Sequence, residues 1–256
     1  MGKVIAIANQ KGGVGKTTTS VNLAASMAAT RRKVLLVDLD PQGNATMASG
    51  VNKYEAERTI YELLVEEQAV RDVIITDTTG GYDLIAANGD ATAAEIRLME
   101  VFARELRLRT ALAPIRDEYD YIFIDCPPSL GLLTLNALTA SNSVLIPIQC
   151  EFYALEGVGH LMNTIQLVKR SLNKDLNIQG VVMSMFDGRT NLSIEVVEEA
   201  KKYFKGKVYT SIIPRNIRLA EAPSHGLPIM NYDKNSKGAE AYKELAAEFL
   251  DYDQEE

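Results

Sequence analysis

A lysine-led glycine loop, Lys11-Gly12-Gly13-Val14-Gly15-Lys16-Thr17-Thr18, restricts this chain to a narrow set of folds. An apolar run, Val4 to Ala8, precedes it and reads as a buried strand, and Thr17 to Ala29 follows with the Ala, Leu and Met content of a helix. Strand, glycine loop, helix is the setting in which such a motif cradles phosphate, because loop and first-turn N–H groups converge on the anion. There Lys16 supplies a point charge to the β- and γ-phosphates, and the Thr17 hydroxyl a ligand for Mg²⁺. The ordinary loop begins with glycine where this chain has Gln10, and an additional lysine, Lys11, comes next.

The rest of the composition sets the limits. A chain of 256 residues, 46% hydrophobic and 24% charged, is long enough to bury its own core. No repeat or linker-like stretch interrupts it, so a single domain over 1–256 is expected. With the first strand opening at Val4, no N-terminal DNA-binding extension is expected. No apolar run approaches the roughly 20 residues of a membrane span. Cys126 and Cys150 form no CxxC pair, which suits a reducing cytoplasm and argues against a cysteine metal site. The net charge of −7 weighs mildly against a constitutive nucleic-acid binder. Its distribution says more. Phe186 to Arg218 carries seven Lys and Arg against four acids, whereas Ala239 to Glu256 carries seven acids against Lys243 alone.

Continuous apolar runs recur at Val4–Ala8, Val34–Val37, Tyr121–Ile124, Val144–Ile148, Ile178–Met183 and Val208–Ile213, as expected of strands covered on both faces. Helical stretches at Thr17–Ala29, Ala93–Leu112, Gly157–Ser171 and Ser193–Phe204 lie between several of them, and a last helix spans Gly238–Leu250. The alternation predicts an α/β fold: a doubly wound, mostly parallel sheet flanked by helices, with ligands at the carboxyl ends of its strands. Between Asn44 and Gly81 only a helix near Thr59–Leu64 is legible.

Two strands end in acids. Asp38-Leu39-Asp40-Pro41-Gln42 closes the second, and Asp125-Cys126-Pro127-Pro128 closes the run that begins at Tyr121. An apolar strand ending in aspartate downstream of a phosphate loop is the second half of a nucleotide-hydrolase site, so Asp125 is assigned to Mg²⁺ through water. Cys126 stands where many fast ATPases carry a catalytic glutamate, which predicts slow hydrolysis. Asp40 is the candidate for orienting the attacking water, and Asp38 reads equally as a metal-shell or a structural group. Guanine selectivity usually relies on Asn-Lys-x-Asp; Asn173-Lys174-Asp175 places its acid one position early, which favours ATP. His160 and His225 read as packing or surface residues.

The loop KGGVGKTT, the segment VDLDPQGNAT and the strand end FIDCPPS resemble the deviant Walker A ATPases, and within them the ParA/Soj group that segregates chromosomes and plasmids. MFDGRTN at 185–191 and IPRNIRLAEAPSHG at 213–226 extend the resemblance nearly end to end. It implies an ATP-driven homodimer in which Lys11 reaches the partner's nucleotide, with Lys11, Lys16 and Asp40 the catalytic set. Gly12 then stays small because the partner's backbone comes close. It also implies that Arg189 and Arg218 bind double-stranded DNA without sequence preference, and that Pro214 and Asn216 pack and hydrogen-bond the adenine. Arg215 is a further candidate for the DNA contact in such a protein, while a solvated helix face explains Lys201, Lys202 and Lys205 equally well; Met185 and Phe186 read as pocket wall or core. The partner implied is a ParB-type centromere-binding protein that stimulates slow hydrolysis, with the protein cytoplasmic and nucleoid-associated.

Three alternatives share the loop. A MinD-like membrane switch needs a basic amphipathic C-terminal helix, and the acidic end from Phe249 to Glu256 argues against one. An iron-protein-like reductase needs cluster cysteines in a pattern that Cys126 and Cys150 do not make. A metabolic ATP-dependent enzyme of this fold needs a dedicated substrate pocket, of which the sequence gives no sign.

Overall fold

The structure, a computed structural model, describes residues 2–155 and 157–255. Glu256, the last acid of the acidic C-terminal stretch, lies outside the described residues. The buried apolar runs form β1 (Lys3–Ile7), β2 (Val34–Asp38), β3 (Ile74–Ile75), β4 (Asp83–Ile85), β5 (Tyr121–Asp125), β6 (Ser143–Gln149) and β7 (Asn177–Ser184). Among the described residues they make one seven-stranded sheet in the order β3-β4-β2-β5-β1-β6-β7. Every pairing is parallel except β3 with β4, as the expected mostly parallel sheet requires.

Both faces are covered, and alternation within each strand divides the core in two. Ile5 and Ile7 of β1 face α1 (Lys16–Ala29) and α12 (Lys237–Glu255), packing among Leu23, Met27, Tyr242, Leu245 and Phe249. Val4 and Ala6 face the other layer, which includes α7 (Leu132–Ala140), α8 (Val158–Ser171) and α9 (Asn191–Phe204). Rings of Tyr121 and Phe123 meet Phe249 edge-on at 5.8 and 6.0 Å, fixing the last helix on the sheet. The chain crosses from β1 to β2 on one side and from β5 over β1 to β6 on the other. The strand order therefore reverses around β1, whose carboxyl end opens into the glycine loop.

Two expectations need correction. Val208–Ile213 is not a strand. The segment runs beside β7, with Tyr209 N donating to Val181 O at 2.9 Å and Ile213 N to Met183 O at 2.9 Å. Between these points, however, the amides of Thr210 and Ser211 donate to the Glu248 carboxylate at 2.7 and 2.8 Å, so α12 takes donors a ladder would need. Nor is Ala93–Leu112 one helix. It breaks into α5 (Asp90–Leu98) and α6 (Arg107–Leu112), because Ala103 sits at φ 53° and Arg104 caps the Met99 carbonyl with a 2.7 Å bond. The helix expected near Thr59–Leu64 is α3 (Ile60–Leu64), started by a capping box between Thr59 and Glu62. The short helices α2 (Asn44–Ala48), α4 (Val70–Val73), α10 (Ile217–Glu221) and α11 (Ile229–Tyr232) complete the frame.

Candidate nucleotide-binding site

The loop between β1 and α1 owes its shape to two glycines. Gly13 and Gly15 adopt φ of 74° and 89°, where a side chain would strain the backbone. Gly15 is the N-cap of α1 and carries no side-chain cap, so the first N–H groups of that helix have no side-chain acceptor. Contacts with two distant strands, β6 and β7, pin the loop. Asn9 accepts from Lys11 N at 3.0 Å and donates to Pro147 O at 2.7 Å, and Ser184 at the end of β7 donates to Val14 O at 2.7 Å. Val14 is buried by this anchoring, whereas Gly12 and Gly13 are exposed.

Lys16 is buried, and its Nζ donates to Lys11 O at 3.1 Å. Burial pushes its ammonium below the usual lysine range, against the pull of Asp125 and Asp40. The Asp125 carboxylate is fully buried and held at both oxygens: Thr17 Oγ1 donates at 2.8 Å and Ser20 Oγ at 2.7 Å. Register sets Asp38 directly beside Asp125. Asp38 accepts from Asp40 N at 3.0 Å, Thr46 N at 2.9 Å and Thr46 Oγ1 at 2.8 Å, and Thr46 Oγ1 accepts from Ala87 N. Asp38 thus ties β2 to α2 and to the end of β4.

Burial raises both carboxyls above the ordinary range; Asp125 adds to the shift at Asp38, and Asp40 to that at Asp125. Asp125 and Asp40 lie near the buried Lys16 ammonium, and the Thr17 hydroxyl bonds to Asp125; these few oxygens suit a Mg²⁺ ion that takes its remaining ligands from water and phosphate. Asp40 is nearly buried, and one of its oxygens accepts from Gln42 N at 2.9 Å while the other has no protein partner among the described residues. Cys126 is buried, and burial pushes its thiol up, so it offers neither a base nor a reactive thiolate.

A cavity of about 200 Å³ continues from the loop toward the chain's last third, lined among others by Gly15, Thr18, Met185, Pro214, Asn216 and Leu219. Met185 holds φ at 52°, and Phe186 bridges to Pro214. Asn216 caps α10 through a 3.3 Å bond from Leu219 N, leaving its amide N–H groups as donors to the cavity.

The predicted residues do not all converge. Lys11 stands on the rim, with Nζ 3.7 Å from Glu151 and its side chain 34% exposed. Arg189 forms two bonds to Asp187 at 2.8 and 2.7 Å, and those bonds hold the Asp187 carboxyl well below its usual range. Arg218 pairs with Glu221 at 2.9 Å. His160 and His225 are exposed, the latter stacked on Tyr232. No cluster of three or more metal-ligating side chains occurs among the described residues, and no described helix is long and apolar enough to cross a membrane. Sequence reading missed Asn9, Ser20, Ser184, Thr46 and Glu151. Of these only Ser20, three residues from Thr17 on one helix face, carried a usable spacing signal.

Residues 2–178 match the AAA domain family. The sporulation initiation inhibitor protein Soj of Bacillus subtilis is 58% identical over 97% of this chain and 98% of its own length. The chromosome partitioning protein ParA of Myxococcus xanthus is 52% identical over 99% of this chain and 89% of its own. Among solved structures, cobyrinic acid a,c-diamide synthase of Mycobacterium smegmatis with bound ATP analog and magnesium superposes with a TM-score of 0.88 at 37% identity, covering 99% of this chain and 96% of that one.

Proposed function

The chain belongs to the ParA/Soj family of partitioning ATPases, and on that basis we propose that it is an ATP-dependent dimerising switch that binds DNA without sequence preference. It then segregates chromosome or plasmid DNA with a ParB-type partner. A single functional domain carries all of this, and the protein works in the cytoplasm on the nucleoid.

One observation carries the reading: Lys11 is divided between two environments. Its carbonyl accepts Lys16 Nζ inside the pocket, while its own ammonium stands at the rim near Glu151. A lysine so placed serves its own phosphate site through its backbone and leaves its charge available to a facing copy. Two ATP–Mg²⁺ faces each carry residual negative charge, and a lysine from each side offsets it.

Within one copy, Gly12, Gly13, Val14, Gly15 and Thr18 wrap the phosphates, Lys16 holds the β/γ oxygens, and Thr17 and Asp125 hold the metal. Mg²⁺ held by these two residues would offset the negative charge of the phosphates. Pro214 and Asn216 close on the adenine. Asp40, with one free carboxylate oxygen, orients the attacking water. Cys126 supplies no base beside it, and hydrolysis is therefore slow until the partner protein acts. Asp40→Ala should lower turnover by about 100-fold, the range of a lost general base or water-orienting group. The ATP dimer should then persist on DNA, as read by phosphate release and a DNA-retention assay. Undiminished turnover removes Asp40 from the mechanism.

Arg189 and Arg218 make the DNA contact. In the single copy each is paired with a carboxylate on its own surface, so phosphates must displace Asp187 and Glu221, and binding weakens steeply with salt. Arg189→Glu or Arg218→Glu should cut affinity for non-specific duplex at least ~10-fold and flatten the salt slope, with ATP-dependent dimerisation retained. Electrophoretic mobility shifts at two salt concentrations check both, and parental affinity in both variants would refute the assignment.

Likeness to the diamide synthase supports a second reading, an ATP-dependent metabolic enzyme. The higher identities to Soj and ParA favour partitioning. Co-sedimentation with non-specific duplex in apo, ADP and ATP states separates the two, because a metabolic enzyme has no reason to pellet with DNA in a triphosphate-dependent way.

A further inference from the structure

Residues 150–155, which follow β6, form a turn that closes beside the phosphate loop. Gly157, just ahead of α8, is equally near: a Cβ built on it would lie 3.8 Å from the Cβ of Lys11. Glu151 stands 3.7 Å from Lys11 Nζ and 4.0 Å from Arg215. Cys150 and Ala154 are buried and fasten the turn to the core. Between those two anchors Phe152 and Tyr153 point outward, 74% and 62% exposed, and pack edge to face with ring centroids 5.0 Å apart.

Scattered exposed apolar residues are ordinary, but two neighbouring rings on an anchored turn at the rim of a ligand site form a patch that calls for a cover. Two features of this rim fit a second copy of the chain. Lys11, the residue assigned above to the facing copy, touches the same turn, so a surface within its reach also meets Phe152 and Tyr153. At Gly12 and Gly13 beside it, a Cβ would meet no atom of the described residues within 4 Å other than the immediate chain neighbours, which leaves the loop's outer side clear for approach. A two-fold contact also presents the pair from both copies, so each ring counts twice.

We propose that Phe152 and Tyr153 form the apolar anchor of the copy-to-copy interface, the element that gives the nucleotide-closed dimer its packing while Lys11 gives it its nucleotide dependence. This rests on the dimer reading above. Aromatic rings at the centre of an interface dominate its energetics, and their neighbours chiefly exclude water.

The test is sedimentation velocity of the full chain over a range of concentrations, with Mg²⁺ and a non-hydrolysable ATP analogue. It compares the parent, Phe152→Ser/Tyr153→Ser, the conservative Phe152→Leu/Tyr153→Phe, and Lys11→Ala. The serine double variant should raise the dimer dissociation constant at least ~100-fold, since two anchors are lost from each copy. Its fluorescent-nucleotide affinity should stay within about twofold of the parent, since neither ring lines the pocket. The conservative pair should recover most of the affinity. Single Phe152→Glu, at the more exposed ring, reads the same way in a variant with one change. Parental dimer affinity in the serine variant, alongside loss of the dimer in Lys11→Ala, overturns this inference alone and assigns the patch to a different macromolecule. Loss of nucleotide binding in the serine variant also overturns it, by showing that the rings support the loop within one copy. A parent that stays monomeric with the analogue overturns the inference together with the reading it rests on.

Discussion

Replacing Lys16 by alanine should leave a folded chain that no longer binds ATP at usable concentrations. Its ammonium is buried at the end of the phosphate loop, and its one protein acceptor among the described residues is the Lys11 carbonyl. The remaining donor capacity points to a ligand. Charge-assisted bonds contribute about 1.5–3 kcal/mol each, and a lysine bridging two phosphates makes two of them, so ATP affinity should fall at least ~100-fold. The variant also leaves Asp125 and Asp40 facing the triphosphate with no protein cation between them. Titration with a fluorescent ATP analogue measures the loss, and a thermal melt without nucleotide shows that the chain is still folded. Retention of parental affinity would refute the role given to Lys16.

Gly12→Val should do the reverse: ATP binding intact, dimerisation lost. Gly13 and Gly15 need glycine because their φ values are positive, but Gly12 is not among the positive-φ residues. Apart from its immediate chain neighbours, no atom of the described residues lies within 4 Å of a Cβ placed there. Valine at that position therefore costs the single copy little, and any penalty must come from what approaches from outside. If a second backbone packs against this point, two added methyl groups force it away. Overpacking of that kind costs about 1–3 kcal/mol per site and occurs once in each copy, which corresponds to a dimer weakened ~30-fold or more. Light scattering with ATP and Mg²⁺, paired with the same nucleotide titration, reads both halves. A Gly12→Val protein that dimerises like the parent would show that nothing closes over the loop.

The ligand chemistry was legible early because it is local. Lys11 to Thr18 is one continuous stretch, and the apolar runs ending in Asp38 and Asp125 carry their acids at the strand ends that form the site. Five strands were readable because burial on both faces leaves them continuously apolar. β3 and β4, of two and three residues, are too short to leave a pattern. The Val208–Ile213 run has the composition of a strand, and only Glu248, some forty residues on, shows why it is not one. The break between α5 and α6 was hidden because an alanine rather than a glycine takes the left-handed position. Partners far apart in the chain account for the rest: Asn9 with Pro147, Ser184 with Val14, and Lys11 with Glu151 meet only once the sheet is assembled. The contacts that hold the Asp38 oxygens, from Thr46 and the Asp40 amide, likewise appear only in the folded chain.

On the function proposed above, a triphosphate joins two copies. The most direct test of this is the solution mass of the unmodified chain by sedimentation velocity without nucleotide, with ADP, and with a non-hydrolysable ATP analogue, Mg²⁺ being present throughout. The expected masses are that of the 28.1 kDa chain in the first two states and twice that in the third. A single-chain mass in all three states, or a dimer equally abundant in all three, would contradict the proposal.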